Sequence, residues 1–152
     1  MTMPFYQSEI ATLHNGDCLE VLPTLPDASV DLILTDPPYF RAKALDWDRQ
    51  WPSADVWAFG TVHAYPGKHP CEKPLDLLTH AICASSRPGG VVLDAFAGGG
   101  SCARAALLSG RRWIGIERDP KWCAAAAAVC ADPSAPKRRR CRVSRPACGS
   151  TT

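Results

Sequence analysis

Asp36, Pro37, Pro38 and Tyr39 put a carboxylate, two residues without a backbone N–H and an aromatic ring one residue, Thr35, past the apolar stretch 30–34. The carboxylate can accept a hydrogen bond from an exocyclic amine on a flat heterocycle, as can the carbonyl ahead of the second proline. The ring can stack on a base drawn out of its duplex. The plainer alternative is a proline-stiffened strand exit that carries a surface tyrosine.

A second constellation lies further along the chain. Asp94 closes the apolar run Val91-Val92-Leu93, and Ala95-Phe96-Ala97-Gly98-Gly99-Gly100-Ser101 follows it. Residues 101–109 have helical composition, with Ala105 and Leu108 on one face and Gly110 placed as a C-cap. Strand, glycine-rich turn and helix form the nucleotide-binding half of an α/β unit, where glycine lets a ligand approach the backbone. Trp113-Ile114-Gly115-Ile116-Glu117 then supplies another strand ending in an acid, just over twenty positions after Asp94. Such folds place there the carboxylate that holds a ribose hydroxyl pair. An ordinary βαβ unit whose glycines only turn tightly is the competing reading.

The elements that must position these residues can be read from punctuation and period. Residues 1–9 read as a loose lead-in. Ile10 to Asn15 reads as a strand ending at Gly16-Asp17, and Cys18 to Leu22 as a short helix stopped by Pro23. Val30 to Thr35 is the strand that presents Asp36, and 40–68 is rich in tryptophan and proline and reads as irregular. Pro74 opens a helix whose apolar face is Leu75, Leu78 and Ile82, ended by Arg87-Pro88-Gly89-Gly90. Pro120 starts an alanine-rich helix running to about Ala131. The pattern predicts an α/β fold with about four mostly parallel strands and flanking helices.

Taken together, the motifs resemble those of S-adenosylmethionine-dependent DNA amino-methyltransferases, in the permuted class where Asp-Pro-Pro-Tyr precedes the glycine loop, as often seen in phages and prophages. His69-Pro70-Cys71-Glu72-Lys73-Pro74 is similar to the family's element ahead of the cofactor strand. Leu13-His14-Asn15-Gly16-Asp17-Cys18 is similar to its adenine-contacting strand end, and residues 110–117 to its ribose-binding strand. The resemblance covers most of 10–130 and implies a partial Rossmann-like methyltransferase fold. It implies a spatial strand order in which the strands ending at Asn15, Glu117, Asp94 and Asp36 lie side by side. It also implies methyl transfer to a base of DNA, adenine N6 before cytosine N4, because relatives with aspartate first in the motif mostly methylate adenine. Asp36, Pro37, Pro38 and Tyr39 are then the catalytic residues. Asp17, Lys73, Asp94, Phe96, Gly98, Gly100 and Glu117 are the cofactor-binding residues, and no metal is required.

The chain departs from the family's pattern in two places. The glycine loop begins Asp94-Ala95-Phe96 where relatives have Asp-Pro-Phe, and Gly98-Gly99-Gly100 replaces Gly-Ser-Gly. Both changes free the backbone and raise the entropy cost of ordering the loop. The interval between Asp-Pro-Pro-Tyr and His-Pro is also short: 40–68 stands where relatives carry further strands and a target-recognition segment. Residues 45–51 and 55–68 resemble the two ends of that region, which suggests an internal deletion joined around 52–54. The strand of Asp36 is then an apolar edge open to pairing with a second copy.

Composition bounds the remaining possibilities. At 152 residues the chain is one domain's worth. We expect a catalytic and cofactor domain over 1–132 and a basic, disordered tail over 133–152. The tail holds six of the seventeen basic residues and no acid, which leaves 1–132 with a net charge of −4. Phosphate attraction therefore falls largely to the tail. No apolar run approaches the roughly 20 residues of a membrane span. The eight cysteines form no Cys-x-x-Cys pair and have no histidine at zinc spacing. A reduced bacterial or phage-infected cytoplasm is the expected setting, and a disulfide scaffold is not expected. His14, His63, His69 and His80 have no catalytic partner in sequence. Three competing classes remain: an inactive remnant that at most binds cofactor or DNA, an enzyme acting on RNA or protein amides, and a nucleic-acid-binding protein that relies on the tail. Asp36 argues against the second, whose motif usually begins with asparagine.

Overall fold

The computed structural model describes residues 3–36, 59–60, 62–63, 65–66, 70 and 72–132. One five-stranded sheet organises them, with strands β1 (Tyr6–Gln7), β2 (Ala11–Asn15), β3 (Leu32–Ile33), β4 (Val91–Asp94) and β5 (Arg112–Glu117). Its order is β1-β2-β5-β4-β3, and every pairing is parallel except β1 with β2. The order expected for the four acid-bearing strands is the one observed. β1 is a correction: the segment read as a lead-in folds back on β2, pairing Tyr6 with Leu13. Ser8 makes the turn, its Oγ accepting from Ala11 N at 3.1 Å.

The strands are built as their residue types dictate. All four residues of β4 are buried, as expected of a parallel strand covered on both faces. β5 alternates: Trp113 points to one face of the sheet, and Ile114 and Ile116 point to the other. On the first face Ala11, Leu13, Val92 and Trp113 pack against helices α2 (Leu75–Ser85), α3 (Ser101–Leu108) and α4 (Pro120–Ala131). On the second face Leu93 and Ile116 meet the four-residue helix α1 (Cys18–Val21) through Val21, with Leu22, Leu25 and Val30 alongside. Gly115 shares the first face with Trp113, and any Cβ there would fall 2.0 Å from the indole. Glycine at 115 is what lets the largest buried side chain lie flat on its own strand.

The first helix does stop ahead of Pro23, at Val21, and Pro23 sits in the 3-10 turn that follows, Leu22–Thr24, where its missing N–H costs nothing. Two other element readings need adjustment. β3 is only two residues long, although Asp31 N and Leu34 N extend the ladder to Val91 O and Leu93 O. In α3 the buried leucine is Leu107, with Leu108 half-buried, because an alanine-rich helix gives little contrast from which to read its phase. Gly110 does take the left-handed conformation, φ 72°, just past the end of α3. In α2, Leu78 and Ile82 are buried and Leu75 packs beside them, as the period indicates. α4 begins at Pro120 behind an Asp119 cap that accepts from Lys121 N.

Candidate active site

Parallel pairing puts the carboxyl ends of β2, β5, β4 and β3 on one edge of the sheet, where open α/β sheets bind ligands. Asp17 lies two residues past the end of β2, Glu117 ends β5, Asp94 ends β4, and Asp36 follows β3. Four acids far apart in sequence thus stand on four adjacent strand ends. β2 and β5 are in register there, with Asn15 opposite Glu117. The Asn15 side chain ties the two ends together, donating to Glu117 O at 2.9 Å and Arg118 O at 3.0 Å.

Each acid has a distinct setting. Glu117 accepts from Gly98 N through Oε2 at 2.8 Å and from Asp119 N through Oε1 at 2.8 Å, so it anchors the glycine loop to β5. Asp94 is 5% exposed, and its Oδ1 accepts from Phe96 N at 3.1 Å and Thr35 Oγ1 at 3.0 Å. Burial pushes its carboxyl up to about 6, partly offset by those two donors and by the Cys102 thiol; Glu117 adds a smaller upward push. Asp17 caps α1, accepting from Leu19 N at 2.9 Å. Asp36 Oδ2 meets Lys73 Nζ at 2.7 Å, with both side chains partly exposed. The resemblance placed Lys73 among the cofactor residues; the structure brings it onto the carboxylate of the other motif.

The glycine loop is shaped by backbone conformation. Gly98 and Gly100 have φ of 51° and 86°, a region L side chains rarely adopt. Gly100 is doubly constrained, since a Cβ there would lie 2.9 Å from Ala126 Cα on α4. Ala97 N donates to Ile116 O at 2.9 Å, which pins the loop to β5, and the Phe96 ring remains partly exposed beside it. Pro37, Pro38 and Tyr39 lie outside the described residues, as do His69, the tail 133–152 and most of 40–68.

Several functional neighbours were not legible in the sequence. Thr35 and Asp94 are 59 positions apart, so their bond has no local signal. Asp31 accepts from Val91 N at 2.8 Å and pairs with Arg87 at 3.4 Å, stitching β3 to β4. Arg111 is 3% exposed and donates to Ser109 O at 2.6 Å, Ser86 O at 2.5 Å and Ser86 Oγ at 3.1 Å. It serves the carboxyl ends of α2 and α3 together, where a cation complements both dipoles. Burial raises the Cys102 thiol, which stays protonated and reaches Leu34 O at 3.7 Å.

A cavity of about 630 Å³ lies at the opposite, amino-terminal ends of the strands, bounded by Ile10, Thr12, His14, Leu25, Arg112 and Ile114. None of the four acids lines it, so the strand ends and not this cavity define the candidate site. Among the described residues no group of three or more His, Cys, Asp or Glu could hold a metal ion. Cys83 on α2 is disulfide-bonded, whereas Cys18, Cys102, Cys123 and Cys130 are free. Among the described cysteines Cys83 is thus the exception, in a chain for which no disulfide scaffold is expected. No helix among the described residues is long and apolar enough to cross a membrane.

A strand–glycine loop–helix unit with an acid on each neighbouring strand defines a nucleotide-binding α/β domain, and similarity to known proteins narrows the class. A DNA methylase model, covering N6 and N4 amino-methyltransferases, matches residues 46–128. The chain belongs to this family. The matched span includes Lys73, Asp94, the glycine loop and Glu117, and begins after Asp36. The chain is 38% identical over 89 residues to the type II methyltransferase M2.MboI of Moraxella bovis, covering 55% of this chain and 32% of that protein. It is 42% identical over 74 residues to the DNA adenine methyltransferase YhdJ of Escherichia coli K12, covering 47% and 25%. It therefore spans between a quarter and about a third of the length of these curated relatives. Among solved structures, the cytosine-N4-specific PvuII DNA methyltransferase superposes with a TM-score of 0.66 at 15% identity, covering 86% of this chain and 90% of that one. The complex of M1.HpyAVI with S-adenosylmethionine gives 0.58 at 18% identity, covering 78% and 99%. At these identities the likeness is one of fold.

Proposed function

We propose that the chain transfers a methyl group from S-adenosylmethionine to N6 of adenine in DNA. The observation that carries this is the alignment of Asp17, Glu117, Asp94 and Asp36 on four adjacent parallel strand ends around the glycine loop. The donor set fits the cofactor: carboxylates on neighbouring strands suit the hydroxyl and amino donors of a nucleoside, and left-handed glycines leave loop backbone uncovered for close approach. Glu117 holds the ribose, Asp17 the adenine amine, and Asp94 with the 96–100 loop shapes the methionine side. When bound, S-adenosylmethionine supplies an activated methyl that leaves sulfur for nitrogen, after which the amine releases a proton.

The chain's residues supply placement. Asp36, held by Lys73, accepts a hydrogen bond from the base's exocyclic amine and orients its lone pair, with the Pro37 carbonyl assisting. Tyr39 stacks on the flipped base. Aspartate at the first motif position and the similarity to YhdJ, an adenine enzyme by name, support adenine; the fold shared with a cytosine-N4 enzyme keeps cytosine N4 as the alternative. DNA is the partner. The tail 133–152 grips it non-specifically, and a bacterial cytoplasm is the setting.

A remnant without turnover is the second reading, favoured by the small share of its relatives that the chain spans. Labelled S-adenosylmethionine with unmethylated DNA, digested to nucleosides, separates the two. We expect N6-methyladenine from the unmutated chain and at least about 100-fold less from Asp36→Ala. A folded chain that labels no base above that control is the remnant, and labelled N4-methylcytosine moves the target to cytosine.

A further inference from the structure

Asp94 Oδ1 is a shared acceptor. It takes Thr35 Oγ1 from the end of the catalytic strand and Phe96 N from the first turn of the cofactor loop. Because the carboxyl is almost wholly buried, neither bond competes with bulk water. Upstream, Leu34 is already fixed to the sheet through its N–H to Leu93 O and its carbonyl to the Cys102 thiol. Thr35 is therefore the last strand residue tied down before Asp36. A valine or isoleucine would suit the strand equally well, and only threonine adds a donor.

Building on the function proposed above, we infer that Thr35 is a positioning residue, its hydroxyl coupling the cofactor loop to the catalytic carboxylate through Asp94. Ordering of Phe96 on Asp94 and placement of Asp36 then become parts of one hydrogen-bonded unit, so cofactor binding is felt at Asp36 before any base arrives. The groups facing Asp94 are Thr35 at the exit of β3, Glu117 on β5, Cys102 on α3 and the Phe96 amide. Of these, Glu117 opposes ionisation and the other three favour it. Losing the Thr35 donor therefore moves the Asp94 titration upward.

Carbon-13 NMR of the full chain tests the coupling with Thr35→Val, which keeps the shape, and Thr35→Ser, which keeps the donor. In the cofactor-free chain the Asp94 carboxyl midpoint should rise by about half a pH unit or more in Thr35→Val and stay put in Thr35→Ser. On adding S-adenosylmethionine, the amides of both Phe96 and Asp36 should shift in the unmutated chain. In Thr35→Val the Phe96 response should persist while that of Asp36 falls by more than half, and Thr35→Ser should restore it. An unmoved Asp94 midpoint, or an undiminished Asp36 response in Thr35→Val, overturns the inference. If S-adenosylmethionine shifts no resonance of the unmutated chain, the cofactor reading fails instead, and the midpoint alone decides the role of Thr35.

Discussion

Burial at the end of β4 makes the contribution of Asp94 to stability depend on pH. Its folded carboxyl titrates at about 6, above the ordinary 3.8. Below pH 4 both folded and unfolded forms hold the proton, and the contribution is intact. Between about pH 4 and 6 the unfolded chain ionises first, so stability falls as pH rises through that window, by about 3 kcal/mol in total. Asp94→Asn cannot ionise. The stability of this variant relative to the unmutated chain should therefore rise by about that amount between pH 4 and 7 in urea unfolding, and a pH-independent difference would refute the burial argument. The pair of Asp36 with Lys73 behaves differently, because both side chains are partly exposed. Lys73→Met should change unfolding free energy by less than about 1 kcal/mol. Its effect should appear in kcat for methyl transfer, because it releases the carboxylate that orients the amine. A variant with reduced stability and an unchanged rate would show the pair to be merely structural.

Among the elements, two glycines with nearly equal backbone angles separate conformational cost from packing cost. Gly89 and Gly100 have φ of 82° and 86°, but a Cβ at 89 meets nothing within 4 Å, whereas one at 100 lies 2.9 Å from the backbone of α4. Gly89→Ala should cost about 1 kcal/mol, from the left-handed conformation alone. Gly100→Ala should cost at least about 2 kcal/mol more, since α3 and α4 must move apart. Equal losses in thermal unfolding would mean that the loop, not the helix contact, dictates glycine at 100. Arg111→Met should lose about 2–4 kcal/mol, because it orphans carbonyls at the ends of two helices, and Arg111→Lys should not rescue it.

The same elements show what sequence could and could not convey. β4, β5 and α4 were legible because continuous apolar runs, an acid at each strand end and an Asp-Pro cap are local signals. β1 was not, since a two-residue strand has no period to read. Nothing in Gly110-Arg111-Arg112 marks Arg111 for burial, and it is buried because two helix ends distant in sequence converge on it. The four acids of the site were each marked by a motif; the partners two of them find, Thr35 for Asp94 and Lys73 for Asp36, come from topology.

For the molecule as a whole, β3 is an edge strand among the described residues, and Ile33 on it is 65% exposed. We expect the isolated chain to self-associate through this edge, detected by light scattering as species larger than a monomer. A monodisperse monomer would overturn that expectation, whereas an Ile33→Lys variant should shift the chain toward monomer.

The order of the sheet also governs how it can be assembled. β2 and β3 come early in the chain and end on opposite sides of β4 and β5, which come last. Among the described residues, the only native strand pairing open before β4 and β5 exist is the small hairpin of β1 with β2. β4 and β5 pair across one local βαβ unit, but β2 with β5 and β3 with β4 close much longer loops, which makes completion of the sheet slow and late. Among the described residues, β2 and β3 therefore lack their parallel partners until β4 and β5 are made and inserted between them.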